Sequence, residues 1–293
     1  MNAHHSPRWL AAALSVDVEL LRFVVDRVDS FYRSFQRLKP NGEPRRIDRT
    51  VEELAFLQGR IAAVFLRSYD YASAMHGCVR SRSPLTNALQ HTGQETLICL
   101  DVRSFYPSVT FRRVHRIWRD NFHLGSPITG MLTRLTTRNG CLPQGVATSG
   151  FLANIAILPA LAEIESLGLG RVTFYVDDVT ISSTAPPSVV IEAVAKAMSH
   201  AGFSIRRDKT QIARRGAPQV ITGYNVDRSR PSVPRAKRDK ARCAVHELEA
   251  RLTRGLDVTR LRRSAEGRIA HMKMTNPKHA ATLARRLSTV LNP

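Results

Sequence analysis

The sequence is poor in cysteine, in aromatic residues and in acidic residues, and it has no long apolar run. Its four cysteines stand far apart without a CxxC pair, which argues against a zinc module and a disulfide framework. The longest apolar run, residues 151–162, contains Asn154 and Pro159 and is shorter than the roughly 20 residues of a membrane span. The opening residues, MNAHHSPRW, lack the pattern of a secretion signal. We therefore expect a cytoplasmic protein that does not enter a membrane.

The shortage of acids makes the chain strongly basic. Asp and Glu number 24 against 44 Lys and Arg, which leaves a net charge of +20 in 293 residues. Such an excess indicates a polyanionic partner, most often a nucleic acid, although a cationic surface without a dedicated partner is the alternative. Residues 235–293 hold 15 of the basic residues and 5 of the acids. Because aromatics are only 6%, we expect charge to contribute more than base stacking.

The hydrophobic pattern predicts a mixture of helices and strands. Residues 7–38 read as helix, with Pro7 opening the first helix and Ser15 capping the next. Residues 39–44 are dense in turn residues and predict a charged hairpin tip. Further elements are predicted as helices at 51–66, 112–121, 151–166 and 188–201, a strand at 96–100, a strand-rich stretch to Val226, and basic-faced helices from Arg235 with an apolar stripe of Ala241, Ala244, Val245, Leu248 and Leu252.

Three carboxylates stand out against this pattern. Asp101 ends the apolar strand, while Asp177 and Asp178 occupy the centre of a predicted hairpin over residues 172–182. A solvated acidic turn is the alternative for the Asp pair. Three converging carboxylates either repel one another or hold divalent cations, and oxygen ligands are what Mg²⁺ prefers. Two such ions can activate a 3′-hydroxyl and stabilise a leaving pyrophosphate.

The segments around these acids resemble polymerase motifs in the order found in reverse transcriptases. LDVRSFYPSV (100–109) resembles motif A, LPQGVATSGFLANI (142–155) motif B and FYVDDVTIS (174–182) motif C. The resemblance implies an α+β fold of the right-hand type, with fingers, a palm containing an antiparallel sheet, and a helical thumb. It implies two Mg²⁺ ions, with Mn²⁺ as the alternative. The implied ligands are Asp101, Asp177, Asp178 and the carbonyl of Val102.

The same resemblance implies a binding site for deoxynucleoside triphosphates. Tyr106 takes the position of the aromatic residue that lies beneath the incoming sugar, where a ring excludes a 2′-hydroxyl; plain core packing is the alternative, and it suits Phe105. Gln144 and Gly145 fall in the motif B turn, where a small residue lets the backbone approach the nascent pair and Gln can bond the nucleotide or the template.

Three basic residues complete the implied nucleotide site. Lys209 matches the motif D lysine that protonates the leaving pyrophosphate, with a solvated surface lysine as the alternative. Either Arg45 or Arg46 matches the fingers arginine that binds the triphosphate, and bidentate phosphate contact suits arginine. The sequence does not decide between these two.

Narrower signals resemble bacterial retron reverse transcriptases. Asn87 and His91 stand at the named positions of their NAxxH segment, and Thr222 and Gly223 match their VTG triplet, with Ile for the Val. A capped helix end and a turn are the alternatives. The resemblance implies that these residues bind RNA together with the basic C-terminal helices, which would hold a duplex by its shape and phosphates. In those helices the candidates are Lys237, Arg238 and Lys240.

A retron enzyme would copy part of its own structured non-coding RNA into a branched RNA–DNA hybrid, often in anti-phage defence. Its expected partners are that RNA, the DNA product, dNTPs and a retron effector protein. The expected domains are N-terminal helices and fingers at 1–95, a palm at 96–230 with a fingers element at 110–140, and a basic thumb at 231–293. The alternatives are another defence-associated or group II intron-like reverse transcriptase, or a non-catalytic RNA-binding protein on the same scaffold.

Overall fold

The computed structural model describes residues 6–38 and 42–291, and the chain divides into two compact units. Unit 1 comprises Met1–Arg82 and Ile98–Gln211, and unit 2 comprises Ser83–Leu97 and Ile212–Pro293. Helices and antiparallel strands are mixed along the chain, which confirms the α+β class. The α-helices are α1 (Pro7–Leu14), α2 (Val18–Asp26), α3 (Glu52–Ile61), α4 (Pro84–Leu89), α5 (Phe105–Ser108), α6 (Phe111–Asp120), α7 (Ser126–Thr136), α8 (Ser149–Ala156), α9 (Leu158–Ser166), α10 (Pro187–His200), α11 (Arg235–Thr253), α12 (Thr259–Lys273) and α13 (Pro277–Leu291).

The strands form one larger sheet and two hairpins. The larger sheet has the order β4-β5-β3-β6, and β1 pairs with β2 as β7 pairs with β8. Within the described ranges no helix is long and apolar enough to cross a membrane, and the four cysteines are free. The strands are β1 (Tyr32–Leu38), β2 (Pro44–Thr50), β3 (Thr96–Asp101), β4 (Arg171–Tyr175), β5 (Asp178–Ser182), β6 (Gln211–Arg214), β7 (Val220–Ile221) and β8 (Tyr224–Asn225).

The N-terminal segment is helical only in its first part, so the prediction of helix to residue 38 was wrong. After α2 a short 3₁₀ turn, Val28–Phe31, leads into β1. β1 pairs with β2 in register from Tyr32 opposite Thr50 to Leu38 opposite Pro44. The partner strand satisfies the backbone groups of β1, an effect that local spacing does not reveal. Of the predicted hairpin tip, residues 39–41 lie outside the described residues.

The cap between the first two helices also differs from the prediction. Ser15 ends α1 in the left-handed region (φ 56°), with its N–H bonded to the carbonyls of Ala11 and Ala12. Asp17 caps α2 instead, accepting hydrogen bonds from the N–H groups of Glu19 and Leu20. A carboxylate two residues further on thus takes the capping role, because its extended backbone points the side chain at the free N–H groups.

Unit 1 packs its helices around a core that supports the sheet and the β1–β2 hairpin. Trp118 is fully buried on α6. Gln58, also fully buried, ties the base of the hairpin to α7: its Nε2 donates to the carbonyl of Leu135 at 2.8 Å and to the hydroxyl of Tyr32 at 3.3 Å, and Thr50 donates to its Oε1. The hairpin is therefore fixed at its base by buried polar contacts.

The predicted elements of the central chain are largely confirmed. β3 ends at Asp101, and α6 and α10 lie where the pattern placed helices. The predicted helix 151–166 is divided into α8 and α9, because Pro159 stands in the first turn of α9 and cannot donate to the preceding turn. The loop of residues 137–148 connects α7 to α8.

Unit 2 has a core of its own, formed mainly by its three long C-terminal helices. The predicted apolar stripe is confirmed: Ala241, Ala244, Val245 and Leu248 are buried on α11, and Leu252 packs against them partly buried. Burial of this stripe leaves the basic residues of the three helices on the remaining faces.

Candidate active site

One cavity of about 660 Å³ in unit 1 collects most of the residues that the sequence assigns to the metal and nucleotide sites. Its wall is built from β2, the end of β3, the loop before α8 and the β4–β5 turn. Asp178 and Gly145 are not among the lining residues. The lining includes Arg45, Arg46, Asp48, Asp101, Val102, Tyr106, Arg138, Gln144, Asp177, Arg206 and Lys209.

The main chain joins the end of β3 to the β4–β5 turn. The N–H of Val102 donates to the carbonyl of Asp177 at 2.9 Å, and the N–H of Arg206 donates to the carbonyl of Asp101 at 2.8 Å. The turn itself differs from the prediction. Tyr175 pairs with Asp178, so Val176 and Asp177 form the two-residue turn and Asp178 begins β5. Asp177 therefore lines the cavity, whereas Asp178 is exposed beside it.

This turn is supported by His76 and Gly77, at the start of the segment that resembles NAxxH, to which sequence reasoning gave no part in the active site. Val176 has φ 61°, an unfavourable conformation for a β-branched residue. Gly77 lies directly against it: a Cβ on Gly77 would stand 2.6 Å from the backbone N of Val176. The carbonyl of Gly77 accepts a hydrogen bond from Nδ2 of the buried Asn154 at 2.6 Å, and the N–H of His76 donates to the carbonyl of Phe174. The available sequence signal was a glycine ahead of Asn87, in the segment that resembles NAxxH.

The carboxylates of Asp101, Asp177 and Asp178 repel one another. Burial raises the pKa of Asp177, and the charge of Asp101 raises it further, while Arg45 and Lys209 lower it. Asp178 retains exposed surface, yet the surrounding protein and the charges of Asp177 and Asp101 raise its pKa to about 6. A cation placed among these groups would relieve that repulsion.

Two basic side chains now face Asp101. Nζ of Lys209 lies 3.3 Å and Nε of Arg206 3.6 Å from its Oδ1. In the part of the chain that the structure describes, no group of three or more His, Cys, Asp or Glu side chains is arranged to hold a metal ion. Of the metal ligands that the resemblance implies, the carboxylates of Asp101 and Asp177 and the main chain of Val102 line the cavity. These oxygen donors fit Mg²⁺, which keeps several ligands from water and substrate phosphates.

Tyr106 forms part of the wall beside these acids. It is half-buried, and burial raises the pKa of its hydroxyl, which stays neutral. Gly150 leaves room for the neighbouring side chains: a Cβ there would stand 2.3 Å from Sγ of Cys78 and 3.8 Å from the Tyr106 hydroxyl. Phe105 lies in the core, 3% exposed, as its packing alternative expected.

The motif B turn is docked on β2. The N–H of Asp48 donates to the carbonyl of Gln144 at 2.8 Å. Gly145 has φ 110°, and a Cβ on it would stand 2.9 Å from Cγ2 of Ile47 and 3.0 Å from the carbonyl oxygen of Asp48. A glycine is thus required at this position for the close approach of β2, both by its backbone conformation and by the space available.

A buried ion-pair network holds the same two segments together. Asp48, 7% exposed, accepts hydrogen bonds at Oδ1 from Nη1 of Arg138 at 2.7 Å, from Nε of Arg46 at 3.1 Å and from the hydroxyl of Ser34 at 2.7 Å. The guanidinium of Arg138 also lies 4.5 Å from the centre of the Tyr32 ring. Sequence reasoning missed Asp48 and Arg138. The available signal was an acid placed two residues after the arginine pair of β2.

This network separates the two candidate arginines. Arg46 is engaged by Asp48 and Ser34. The guanidinium of Arg45 makes no ion pair or hydrogen bond within residues 6–38 and 42–291, and its charge lowers the pKa of Asp177 and of Tyr106. Arg45 is therefore the arginine available to an anionic ligand in the cavity.

The motif residues of unit 2 do not line this cavity. Asn87 and His91 are buried, and Oδ1 of Asn87 has no hydrogen-bond partner among the described residues. The hydroxyl of Thr222 donates to the carbonyl of Pro84, at the start of α4. Nζ of Lys237 donates to the carbonyl of Gly223 at 3.2 Å. The two short motifs thus pack together in unit 2, with exposed Lys237 beside them.

Comparison with known proteins gives a consistent result. A family model described as reverse transcriptase (RNA-dependent DNA polymerase) matches residues 42–242. The chain is 31% identical to the retron Mx65 reverse transcriptase of Myxococcus xanthus, over 94% of this chain and 70% of that protein. It is 28% identical to the retron Se72 reverse transcriptase of Salmonella heidelberg (81% and 66%) and 31% identical to the retron Mx162 reverse transcriptase of Myxococcus xanthus (82% and 58%). The chain spans 58–70% of the length of these relatives.

The raised pKa of Asp178 predicts a pH dependence of stability. The folded protein holds this proton up to about pH 6, whereas an unfolded chain loses it near pH ~3.9. The unfolding free energy of the metal-free protein should therefore fall as pH rises from about 4 to about 6, and the loss should persist above that. We expect Asp178→Asn to melt at a higher temperature than the parent at pH 7, with a smaller difference at pH 4. A variant less stable than the parent at pH 7 would contradict this.

Proposed function

The chain belongs to the reverse transcriptases, the RNA-directed DNA polymerases, and to their bacterial retron type; on this premise we propose that it copies part of its own structured non-coding RNA into the DNA of a branched RNA–DNA hybrid. The observation that carries the proposal is the cavity that brings Asp101 and Asp177 together with Tyr106 and Arg45. The names of the relatives, all retron reverse transcriptases, support the choice of retron.

We assign the expected right-hand arrangement as part of the proposal. Residues 1–95 would form the N-terminal helices and fingers, residues 96–230 the palm with a fingers element at 110–140, and residues 231–293 the thumb. The four-stranded sheet, in which strand β3 ends at Asp101, supports a palm. The three basic helices α11–α13 support a thumb that contacts phosphates.

Mg²⁺ would be held by Asp101, Asp177 and the main chain of Val102, with Asp178 as the neighbouring acid. When bound, two such ions would activate the primer hydroxyl and stabilise the leaving pyrophosphate. Burial, and after it the repulsion between the acids, raises the pKa of Asp177 and Asp178, and a cation between the acids would offset both effects. Lys209, at the cavity beside Asp101, would hold the proton that the pyrophosphate receives.

The remaining cavity residues would bind the nucleotide. Arg45 would contact the triphosphate in bidentate fashion. Tyr106 would lie beneath the sugar and exclude a 2′-hydroxyl, and its neutral hydroxyl adds no charge there. Gln144 would bond the base pair, held in place through its carbonyl by β2. The monomers are therefore deoxynucleoside triphosphates.

RNA recognition would involve unit 2. Lys237 and Lys240 are exposed on α11, Arg238 is half-buried, and Thr222 and Gly223 lie beside Lys237. Buried Asn87 and His91 would act by supporting this surface. A retron effector protein and a role in anti-phage defence are the further parts of the proposal.

Loss of both cavity acids should abolish DNA synthesis. We expect the double variant Asp101→Asn/Asp177→Asn to lose more than about a thousandfold of the polymerisation rate on a primed RNA template, equal to roughly 4 kcal/mol of transition-state stabilisation. RNA affinity should stay close to that of the parent. Glu192→Gln, which alters an exposed acid on α10, is the control and should retain synthesis. Residual polymerisation by the double variant would disprove the metal assignment.

The retron part of the proposal has a separate test. Nucleic acid that co-purifies with the protein from its native locus should contain RNA joined to DNA through a 2′–5′ branch. A debranching enzyme should release the DNA, and sequencing should map both parts to one non-coding RNA. Linear complementary DNA alone would favour another type of bacterial reverse transcriptase.

Tyr106 should control sugar selection. We expect Tyr106→Ala to raise the rate of ribonucleotide incorporation relative to deoxynucleotide by at least about tenfold, since a steric barrier of roughly 1.4 kcal/mol or more is removed. Tyr106→Phe keeps the ring and should keep the selectivity. Single-nucleotide extension with each triphosphate measures both ratios, and an unchanged ratio in Tyr106→Ala would remove this role.

Substitutions of Arg45 and of Arg46 should have different effects on nucleotide binding and on stability. Arg45→Gln should raise the KM for dNTP by about tenfold or more, because one charge-assisted phosphate contact is worth roughly 1.5–3 kcal/mol. Arg46→Gln should lower the melting temperature, because it removes a partner of buried Asp48, and should change KM less. Steady-state kinetics and thermal denaturation of both variants measure these effects. A larger rise in KM for Arg46→Gln than for Arg45→Gln would assign the triphosphate contact to Arg46 instead.

A further inference from the structure

Arg206 lines the cavity of unit 1 but has no part in the reaction proposed above. The segment that carries it is fixed by the main chain. Its N–H donates to the carbonyl of Asp101 at 2.8 Å, and the preceding residue, Ile205, pairs with Val102 in an antiparallel bridge. These bonds do not involve the side chain of Arg206. The backbone therefore places this residue at the end of β3 and leaves its side chain free for another role.

A 3₁₀ turn, Arg207–Lys209, directs the basic side chains of this segment. The N–H of Lys209 donates to the carbonyl of Arg206 at 3.1 Å. Because residues three apart lie on the same side of such a turn, Arg206 and Lys209 point in the same direction, and both approach Oδ1 of Asp101. Arg207, which lies between them, is exposed and is not a lining residue. Of these two adjacent arginines, Arg206 is the one that faces the cavity.

The guanidinium of Arg206 is held at one edge and available at another. Nη2 donates to Oδ2 of Asp208 at 2.9 Å, whereas Nε lies 3.6 Å from Oδ1 of Asp101, too far for a hydrogen bond. Nη1 donates no hydrogen bond within residues 6–38 and 42–291. Since the N–H donors of a guanidinium form a rigid fork, an anion can be bound by Nη1 while Asp208 keeps Nη2.

The position of Arg206 indicates which part of a nucleotide it would contact. Lys209, on the same side of the turn, would hold the proton that the pyrophosphate receives. In the proposed complex Mg²⁺ would neutralise the acids of this wall, which leaves Arg206 and Lys209 as positive groups beside an anionic substrate. Arginine binds phosphate oxygens through charge-assisted hydrogen bonds. These relations favour the pyrophosphate portion of the nucleotide over its sugar or base.

We propose that Arg206 is a second substrate-contacting arginine, which binds the pyrophosphate portion of the nucleotide through Nη1. It would act from the segment after α10, whereas Arg45 would act from β2. The ion pair between Arg206 and Asp208 is not part of this contact. The proposal rests on the proposed function, because it places the triphosphate in the cavity of unit 1.

Binding of inorganic pyrophosphate to the full chain, titrated by calorimetry with Mg²⁺ present, tests this contact without any synthesis. Arg206→Gln should bind pyrophosphate at least about tenfold more weakly than the parent, because a charge-assisted hydrogen bond is lost. Arg207→Gln is the matched control: it removes equal charge from the exposed neighbour outside the cavity, and its loss should stay below about threefold. Equal losses in the two variants, or no binding by the parent, would overturn the proposal.

A second variant separates substrate contact from a purely structural role of the ion pair. Asp208→Asn breaks the same pair as Arg206→Gln, but it removes a negative charge and keeps the guanidinium. Asp208→Asn should therefore bind pyrophosphate at least as tightly as the parent. A loss equal to that of Arg206→Gln would mean that the pair only supports the turn, and the proposal would fail. Thermal denaturation verifies that each variant is folded.

Two nucleotides locate the contact along the substrate. The affinity for dTTP should fall in Arg206→Gln, whereas the affinity for dTMP, which lacks the pyrophosphate portion, should stay the same. Equal losses for both nucleotides would contradict the assignment. DNA synthesis is measured on the same proteins: synthesis by the parent with unchanged pyrophosphate binding in Arg206→Gln would overturn only this contact. Pyrophosphate binding that depends on Arg206, in a parent that makes no DNA, would overturn only the proposed function.

Discussion

The candidate active site depends on the hydrogen bonds and ion pairs that the carboxylate of Asp48 accepts. This carboxylate is buried, and it accepts hydrogen bonds from the β1–β2 hairpin and from Arg138 of the loop before α8. A buried charge is tolerated only when it is paired and hydrogen-bonded, so removal of either arginine would weaken the compensation of this charge in the wall. The same strand approaches Gly145 so closely that no side chain fits there. The cavity has its shape because these two segments are held together.

Charge balance explains how a protein of net charge +20 keeps acids at its centre. Asp101 faces Lys209 and Arg206, and Arg45 lowers the pKa of Asp177. These cations balance the acids in the metal-free protein, and in the proposed complex Arg45 would contact the triphosphate while Lys209 would supply the proton to the pyrophosphate. In unit 2 the basic residues instead surround an apolar helical core. Each unit therefore presents positive charge, and the cavity of unit 1 combines it with the carboxylates of Asp101 and Asp177.

Elements with strong periodicity could be predicted from the sequence, and elements that depend on a distant partner could not. The strand ending at Asp101, the helices α6 and α10 and the stripe on α11 follow from the spacing of apolar residues. Strand β1 was read as helix, because its pairing with β2 stabilises it and local spacing does not. The turn moved by one residue to Val176–Asp177 because Gly77 and its neighbours hold β4 and the turn from outside. That shift leaves Asp178 exposed.

The sequence by itself determined the chemistry: the motifs around Asp101, Gln144 and Asp177 identify the family, and the basic surplus indicates the polyanion, because both are properties of residue types and their order. Only the tertiary structure decided which of two adjacent residues does what. Arg46 is bound to Asp48 and Arg45 is available; Asp177 faces the cavity and Asp178 does not. The side chains of adjacent residues point in different directions, and contacts between segments that are distant in sequence determine which of them faces a cavity.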